Sequence, residues 1–257
     1  MSSLRLGLVL SLLAAPAFAA PADPLALYRF DQGDATDSSG NGNDGTIVGG
    51  VSFAASQPGF GTAASFSPAP GLSGIRTPVD INSAVLPALT MGAWIRPDTF
   101  GTGSFGPGKM LSHDNGGFDR TIGFDGRGDS PGTNIAAFTG SGVADIDGTF
   151  SAFGTWTHYA VRYDGANSAL FRNGAPVESF TAGSSVSGLS LFIGTNPGFD
   201  EDFDGLMDDV FVYGRALTDA EIADIFANGF ATPVPLPAGL PLLAAALAGL
   251  ALARRRG

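Results

Sequence analysis

Short extended runs broken by glycine, proline, asparagine and aspartate recur along this chain, and they constrain its fold more than any other feature. Ala26, Tyr28 and Phe30 alternate with Leu25, Leu27 and Arg29, the two-residue period of a strand with one aromatic-rich face. Further runs of strand length occupy 46–48, 63–66, 74–77, 89–96, 110–112, 121–124, 134–138, 156–163, 169–172, 176–180, 189–194 and 206–213. About eleven or twelve strands at this spacing, with almost no helical periodicity before Thr218, predict an all-β chain of two stacked antiparallel sheets, a β-sandwich. The 38 glycines suit it, because tight turns between strands need residues that tolerate positive φ. Asn173-Gly174 predicts a hairpin turn.

The stretch 203–228 departs from the pattern. Its first half is an apolar, β-branched and aromatic strand, and Leu217-Thr218-Asp219-Ala220-Glu221 opens a short helix. Thr218 and Glu221 have capping-box spacing, each side chain reaching the other's backbone amide. Ile222, Ile225 and Phe226 fall on one helical face, and Asn228-Gly229 supplies the stop.

The wording from Gly205 to Leu217, GLMDDVFVYGRAL, followed by Glu221-Ile222, resembles the closing segment of laminin-G-like, concanavalin A-like sandwich domains. Three more segments resemble the same family in the right order. They are Tyr28-Arg29-Phe30 with the loop from Asp37 to Thr46, Ala93-Trp94-Ile95-Arg96-Pro97, and the run from Trp156 to Gly165. The resemblance covers roughly residues 24–230 and implies one jelly-roll domain, a normal size for such a sandwich. The Asn173-Gly174 turn falls where the family has a strand-turn-strand pair.

Both ends read differently. Residues 1–19 carry one early charge, Arg5, an apolar run and a small-residue site at Ala17-Phe18-Ala19, the build of a secretory signal peptide. The alternative, a buried N-terminal helix, is disfavoured by Pro16 and Pro21. From Val234 the chain reads VPLPAGLPLLAAALAGLALARRRG, which resembles the VPLPA variant of PEP-CTERM sorting tails, processed by exosortase-type enzymes in Gram-negative bacteria. Its apolar run of about 14 to 18 residues is marginal for a core about 30 Å thick, which suits a transient inner-membrane anchor over 234–257 with the arginines cytoplasmic. A permanent anchor of the same topology is the alternative. Export to the cell surface or extracellular matrix is the expectation.

The formal net charge is −11. Without Arg5, Arg254, Arg255 and Arg256, nine basic residues face 24 acidic ones, a net −15. Such a surface repels nucleic acid and tends to attract cations, although acidity for solubility explains it equally well. With no cysteine, neither a disulfide framework nor a thiolate nucleophile is available.

Catalytic groups are scarce. The two histidines, His113 and His158, lie outside metal-binding spacings; His158 reads as a packed or rim residue and His113 as a strand end. Glu178, Glu201 and Glu221 are the only glutamates, and no Glu-x-Asp-x-x-Glu strand provides the carboxylate pair a glycosidase needs. The expectation is therefore not an enzyme. Calcium takes about six to eight oxygens from glycine-curled turns. The family resemblance implies the loop residues Asp37, Asn41 and Asn43, with Asp208 of the final strand, as a calcium site. Asp200-Glu201-Asp202-Phe203-Asp204-Gly205 imitates half an EF-hand loop but lacks the acidic twelfth residue, where Phe211 stands, so it reads as a solvated acidic turn. The segments 100–109 and 115–127 offer aromatic and polar groups for a sugar or a partner, although hydrophobic packing of the loop explains the aromatics more simply, and Asp119-Arg120 reads as a surface ion pair.

These readings converge on an exported, non-enzymatic binding protein for extracellular polysaccharide with calcium-stabilised loops. A structural or adhesive protein-binding module is the second reading, and a divergent carbohydrate-active enzyme the third.

Overall fold

The computed structural model describes residues 21–67, 73–103, 108–127, 133–146, 150–198 and 200–230. The expected signal peptide and sorting tail lie outside them. The strands in chain order are β1 Ala26–Tyr28, β2 Thr46–Gly49, β3 Ser52–Ala55, β4 Thr62–Phe66 and β5 Ser73–Arg76. Then come β6 Leu89–Pro97, β7 Lys109–Ser112, β8 Thr121–Asp125, β9 Asn134–Phe138 and β10 Val143–Asp145. The last are β11 Thr157–Tyr163, β12 Ser168–Arg172, β13 Ala175–Phe180, β14 Phe192–Ile193 and β15 Gly205–Tyr213, before the helix α1 Asp219–Asn228.

Two antiparallel sheets stack as the alternation predicts. One runs β13-β12-β11-β6-β15-β4-β3 with β1 also on β15, the other β10-β9-β8-β7-β14-β5-β2. Residues of period two, such as Met91, Ala93 and Ile95 of β6 or Ile122 and Phe124 of β8, point between the sheets and form the main core. The 189–194 run shrinks to Phe192–Ile193, because Leu191 exchanges backbone bonds with Thr77 and Val79 beyond the end of β5. β3 and β10 were not legible as strands.

The first sheet is buried on its outer face as well. Leu27, Phe171, Phe211 and Tyr213 pack there with Leu217, Ile222 and Ile225. The helix is held as its sequence implies. Thr218 accepts from the Glu221 amide and the Glu221 carboxylate accepts from the Thr218 amide, a cap contributing about 1 kcal/mol. Gly229, at φ 62°, closes the other end on the Ile225 carbonyl. Gly92 is required beneath this layer: a Cβ there would lie 2.5 Å from the Tyr159 carbonyl and 2.7 Å from the Phe211 ring.

His158 is the misfit of the layer. It is 1% exposed, its ring stacks on Phe211 at 5.9 Å and meets Trp94 at 5.5 Å, and neither ring nitrogen has a hydrogen-bond partner. It is thus packed, and burial drives its pKa down to about 3. An unfolded His158 takes up a proton below about pH 6.5, whereas the folded one stays neutral, so this group withdraws stability as pH falls from that value toward 3. His158→Leu is expected to flatten the acid limb of the stability curve. The difference from wild type in chemical denaturation should grow by about 1 kcal/mol per pH unit below pH 6, and parallel curves would refute it.

Candidate functional site

The four residues implied for calcium occupy two places. Asp37 Oδ1 accepts from the amides of Leu27 and Ser39, and Oδ2 from the Ser39 hydroxyl and the Asn43 amide. Burial would push this carboxyl up, but these bonds outweigh it and hold the pKa below the usual carboxylate range. The Asn41 and Asn43 side chains donate to the carbonyls of Pro24 and Leu25. The loop is thereby stapled to β1 by protein donors that occupy the oxygens a cation would use. Asp208 instead bonds Ser56, at the start of the β3–β4 turn, and the Asp209 amide. It sits where one edge of β15 passes from β4 (205–207) to β1 (210–212), beside Asp209 at φ 46°. Among the described residues no group of three or more His, Cys, Asp or Glu is placed to hold a metal. The arrangement fits a loop staple and a strand irregularity better than a calcium cage.

Contrary to its sequence reading, the acidic turn 200–205 is solvated mainly at Asp200. Glu201 and Asp202 are buried because the turn lies along β7 and the preceding loop. Lys109 N donates to the Glu201 carbonyl, Thr102 N to that of Asp202, and Asp98 N to that of Asp204. Asp202 Oδ1 accepts from the Thr195 hydroxyl at 2.6 Å.

This turn walls a cleft of about 580 Å³ lined by Asp114, Asn115, Arg127, Leu189, Asn196 and Glu201, with Asp200, Gly116, Pro197 and Gly198. The cleft lies on the outer side of the seven-stranded sheet. Ile122 and Phe124 of β8 face the core, so Gly123 and Asp125 face outward. Lys109, the only lysine in the sequence, lies flat over Gly123, where a Cβ would come within 2.6 Å of its Cδ. Its Nζ donates to the Phe124 carbonyl at 2.7 Å and lies 3.5 Å from Asp125 and 3.6 Å from Glu201. The Phe138 ring is 5.1 Å away.

Arg127 completes the group. Its guanidinium grips Asp125 at 2.6 Å and lies over the rings of Phe118 and Phe138. Asn196 Nδ2 donates to both Asp200, at 2.7 Å, and Glu201, at 3.2 Å. Burial pushes the Glu201 carboxyl up, with Asp114 and Asp200 adding to what Lys109 opposes. Burial would also raise Asp125, but Arg127 and Lys109 outweigh it and hold it down. Such a surface sets carboxylate and amide groups beside an apolar wall at Leu189, the mixture a polyhydroxylated ligand requires.

The segment 115–127 reaches the cleft through Asn115, Gly116 and Arg127, whereas Phe100 packs inward on Phe124 and Phe153. Asp119-Arg120 is not a surface pair. Arg120 is buried, donating to the carbonyls of Ile81, Leu86 and Pro87, and Asp119 accepts from Ser185. His113 follows the last residue of β7 and is buried, bonded to Ser185 and Ser187. Lys109 and Asp125 fall in the segments 100–109 and 115–127 without being singled out there, and Asn196 lies outside both. The one available signal was a single lysine at a strand start in an acidic chain.

Two outcomes test the first pair of places. Asp37→Ala should lower the Tm by about 5 °C, since charged hydrogen bonds contribute about 1.5–3 kcal/mol, and by the same amount in chelator and in calcium. A loss seen only with calcium would restore the metal reading. Asp208 has its pKa raised to about 7 by burial, with Asp209 adding to the effect and the Ser56 bond opposing it. Its ionisation therefore costs stability as pH rises from about 4 through 7. Asp208→Asn should be more stable than wild type at pH 9, by about 2–3 kcal/mol, and equal to it near pH 4; a gain at both values would refute this.

No curated protein matches the chain. Among solved structures, domain 4 of AbnA, a GH43 extracellular arabinanase from Geobacillus stearothermophilus in complex with arabinotriose, is 25% identical with a TM-score of 0.58, covering 79% of this chain and 98% of that one. Botulinum neurotoxin type C, whose cell entry depends on interaction with two ganglioside molecules, is 12% identical with a TM-score of 0.55, over 82% of this chain and 52% of that one. Trypanosoma rangeli sialidase in complex with the inhibitor DANA is 14% identical with a TM-score of 0.55, over 82% and 35%. The latter two share the fold alone, and this chain spans about half or less of each. A family model described as the concanavalin A-like lectin/glucanases superfamily, of laminin-G type, matches residues 73–223. That span runs from β5 into α1 and takes in every residue that lines the cleft, and the chain belongs to this superfamily.

Proposed function

We propose that this protein binds extracellular polysaccharide, without cleaving it, in the cleft beside β7 and β8. The observation that carries the reading is the cleft itself: Asn115, Asn196, Arg127 and three carboxylates converge around a pocket that Leu189 lines on one side. Hydroxyl-rich ligands are recognised by such paired donors and acceptors. The arabinanase domain, seen with arabinotriose, supports a saccharide as the ligand class. Fold alone does not name a function, and the weight rests on the cleft.

Export through residues 1–19 and processing at 234–257 belong to the same proposal, since they bring the cleft to polysaccharide outside the cell. The buried charges speak against catalysis. Lys109 and Arg127 engage Asp125, Lys109 and Asn196 engage Glu201, and each carboxylate is thereby occupied structurally.

A glycan array probed with the full chain, followed by calorimetry on the hits, tests this. Asn115→Ala should weaken binding about tenfold, the loss of one or two well-placed hydrogen bonds, while His158→Leu binds as wild type at neutral pH. Retention of no polysaccharide, or affinity indifferent to Asn115, would overturn the proposal. Release of reducing ends, abolished by Glu201→Gln, would replace binding with hydrolysis.

A further inference from the structure

The charges of the cleft do not cancel. Lys109, Arg127, Asp125 and Glu201 form a closed quartet of two cations and two anions, held by contacts of 2.6 to 3.6 Å. Asp114 and Asp200 are left over, and neither forms an ion pair among the described residues. Asp114, 7% exposed, uses Oδ1 to accept from the amides of Gly117 and Asp119, and Asp200 uses Oδ1 for Asn196. Both line the cleft with Glu201. The walls therefore carry two negative charges without an ion-pair partner: Asp114 in the recess, where water screens it less than on an open surface, and Asp200 on the exposed rim.

The protein already shows how this wall treats an ammonium. Lys109 Nζ rests between Glu201 and Asp125, donates to a backbone carbonyl and lies over the Phe138 ring, a carboxylate-and-aromatic seat for a primary amine. The single arginine of the cleft offers no equivalent seat to an anion, because it is forked onto Asp125.

We propose that the cleft prefers sugars bearing a free amine, as in a de-N-acetylated hexosamine polymer, over neutral sugars and strongly over uronic acids. This rests on the binding reading above and assigns its substrate class. The amine takes the place of the missing countercharge near Asp114 and Asp200, while its ring hydroxyls use Asn115. A uronate brings a third unpaired carboxylate to the same walls and is rejected by like-charge repulsion. Burial first, and Asp114 and Asp200 after it, push the Glu201 carboxyl up against the opposing pull of Lys109.

The test is a titration of the full chain at pH 6 with three oligosaccharides of equal length: glucosamine, N-acetylglucosamine and galacturonate. At low salt the glucosamine oligomer should bind about tenfold tighter than its acetylated form, and galacturonate should not bind. The preference should shrink in high salt and in Asp200→Asn, whose side chain sits on the exposed rim. Asp114→Asn should act in the same direction. Asp224→Asn, on the helix over the other sheet, should leave it intact. Equal affinities for the amine and acetylated forms, tighter binding of galacturonate, or a preference unchanged in both cleft variants would overturn the proposal while leaving polysaccharide binding standing. Failure of all three sugars, with an empty glycan array, would sink the binding reading itself.

Discussion

Everything in this sandwich hangs on β15. One edge pairs with β6 nearly along its length, the other is shared by β4 and β1, and both faces are covered, by the second sheet and by α1. All nine of its residues are buried. A strand enclosed on four sides has one admissible register, because a one-residue slip would exchange Met207, Val210 and Val212 with Phe211 and Tyr213 between two differently shaped layers. The acidic pair Asp208-Asp209 falls where β4 gives way to β1, and there the ladder with β6 shifts. Its raised carboxyl pKa values follow from burying charge in that position without a full set of partners.

The second sheet solves a different problem. Among the described residues no helix lies over its outer side, which is covered by loops, so charged groups occupy positions that apolar residues hold elsewhere. Lys109 lies buried there only because Gly123 leaves its stem a track and because two carboxylates, a carbonyl and an aromatic face receive its amine. A quartet of this kind, buried except at Arg127, contributes little net stability against an apolar substitute. It does hold the 200–205 turn against β7, and so shapes the wall of the cleft.

How much was legible depended on the range of the interaction. The cap of α1 is local, three residues apart, and stood where Thr218 and Glu221 implied. The long apolar runs became the long strands. β3 lies at a sheet edge, mostly exposed, and β10 is three residues long; neither had the burial that imposes a pattern. Trp156, counted with the β11 run, precedes the strand. Asp119-Arg120 misled because adjacency suggests a pair, whereas each residue finds its partner in a loop dozens of residues away. The acidic turn misled in the same way: its charge reads as solvated until Lys109 is known to lie against it.

By itself the amino-acid sequence determined the class of fold, the order of its main strands, the capped helix that seals one face and the acidity of the whole, since each follows from periodicity, local capping and composition. Only the tertiary structure decided the site. Asp114, Arg127 and the pair Asn196 and Glu201 come from three separate loops, and a solitary lysine acquires meaning only beside Asp125 and Glu201. Side chains far apart along the chain meet through strand pairing and loop closure, and no short-range pattern encodes which of them will share a wall.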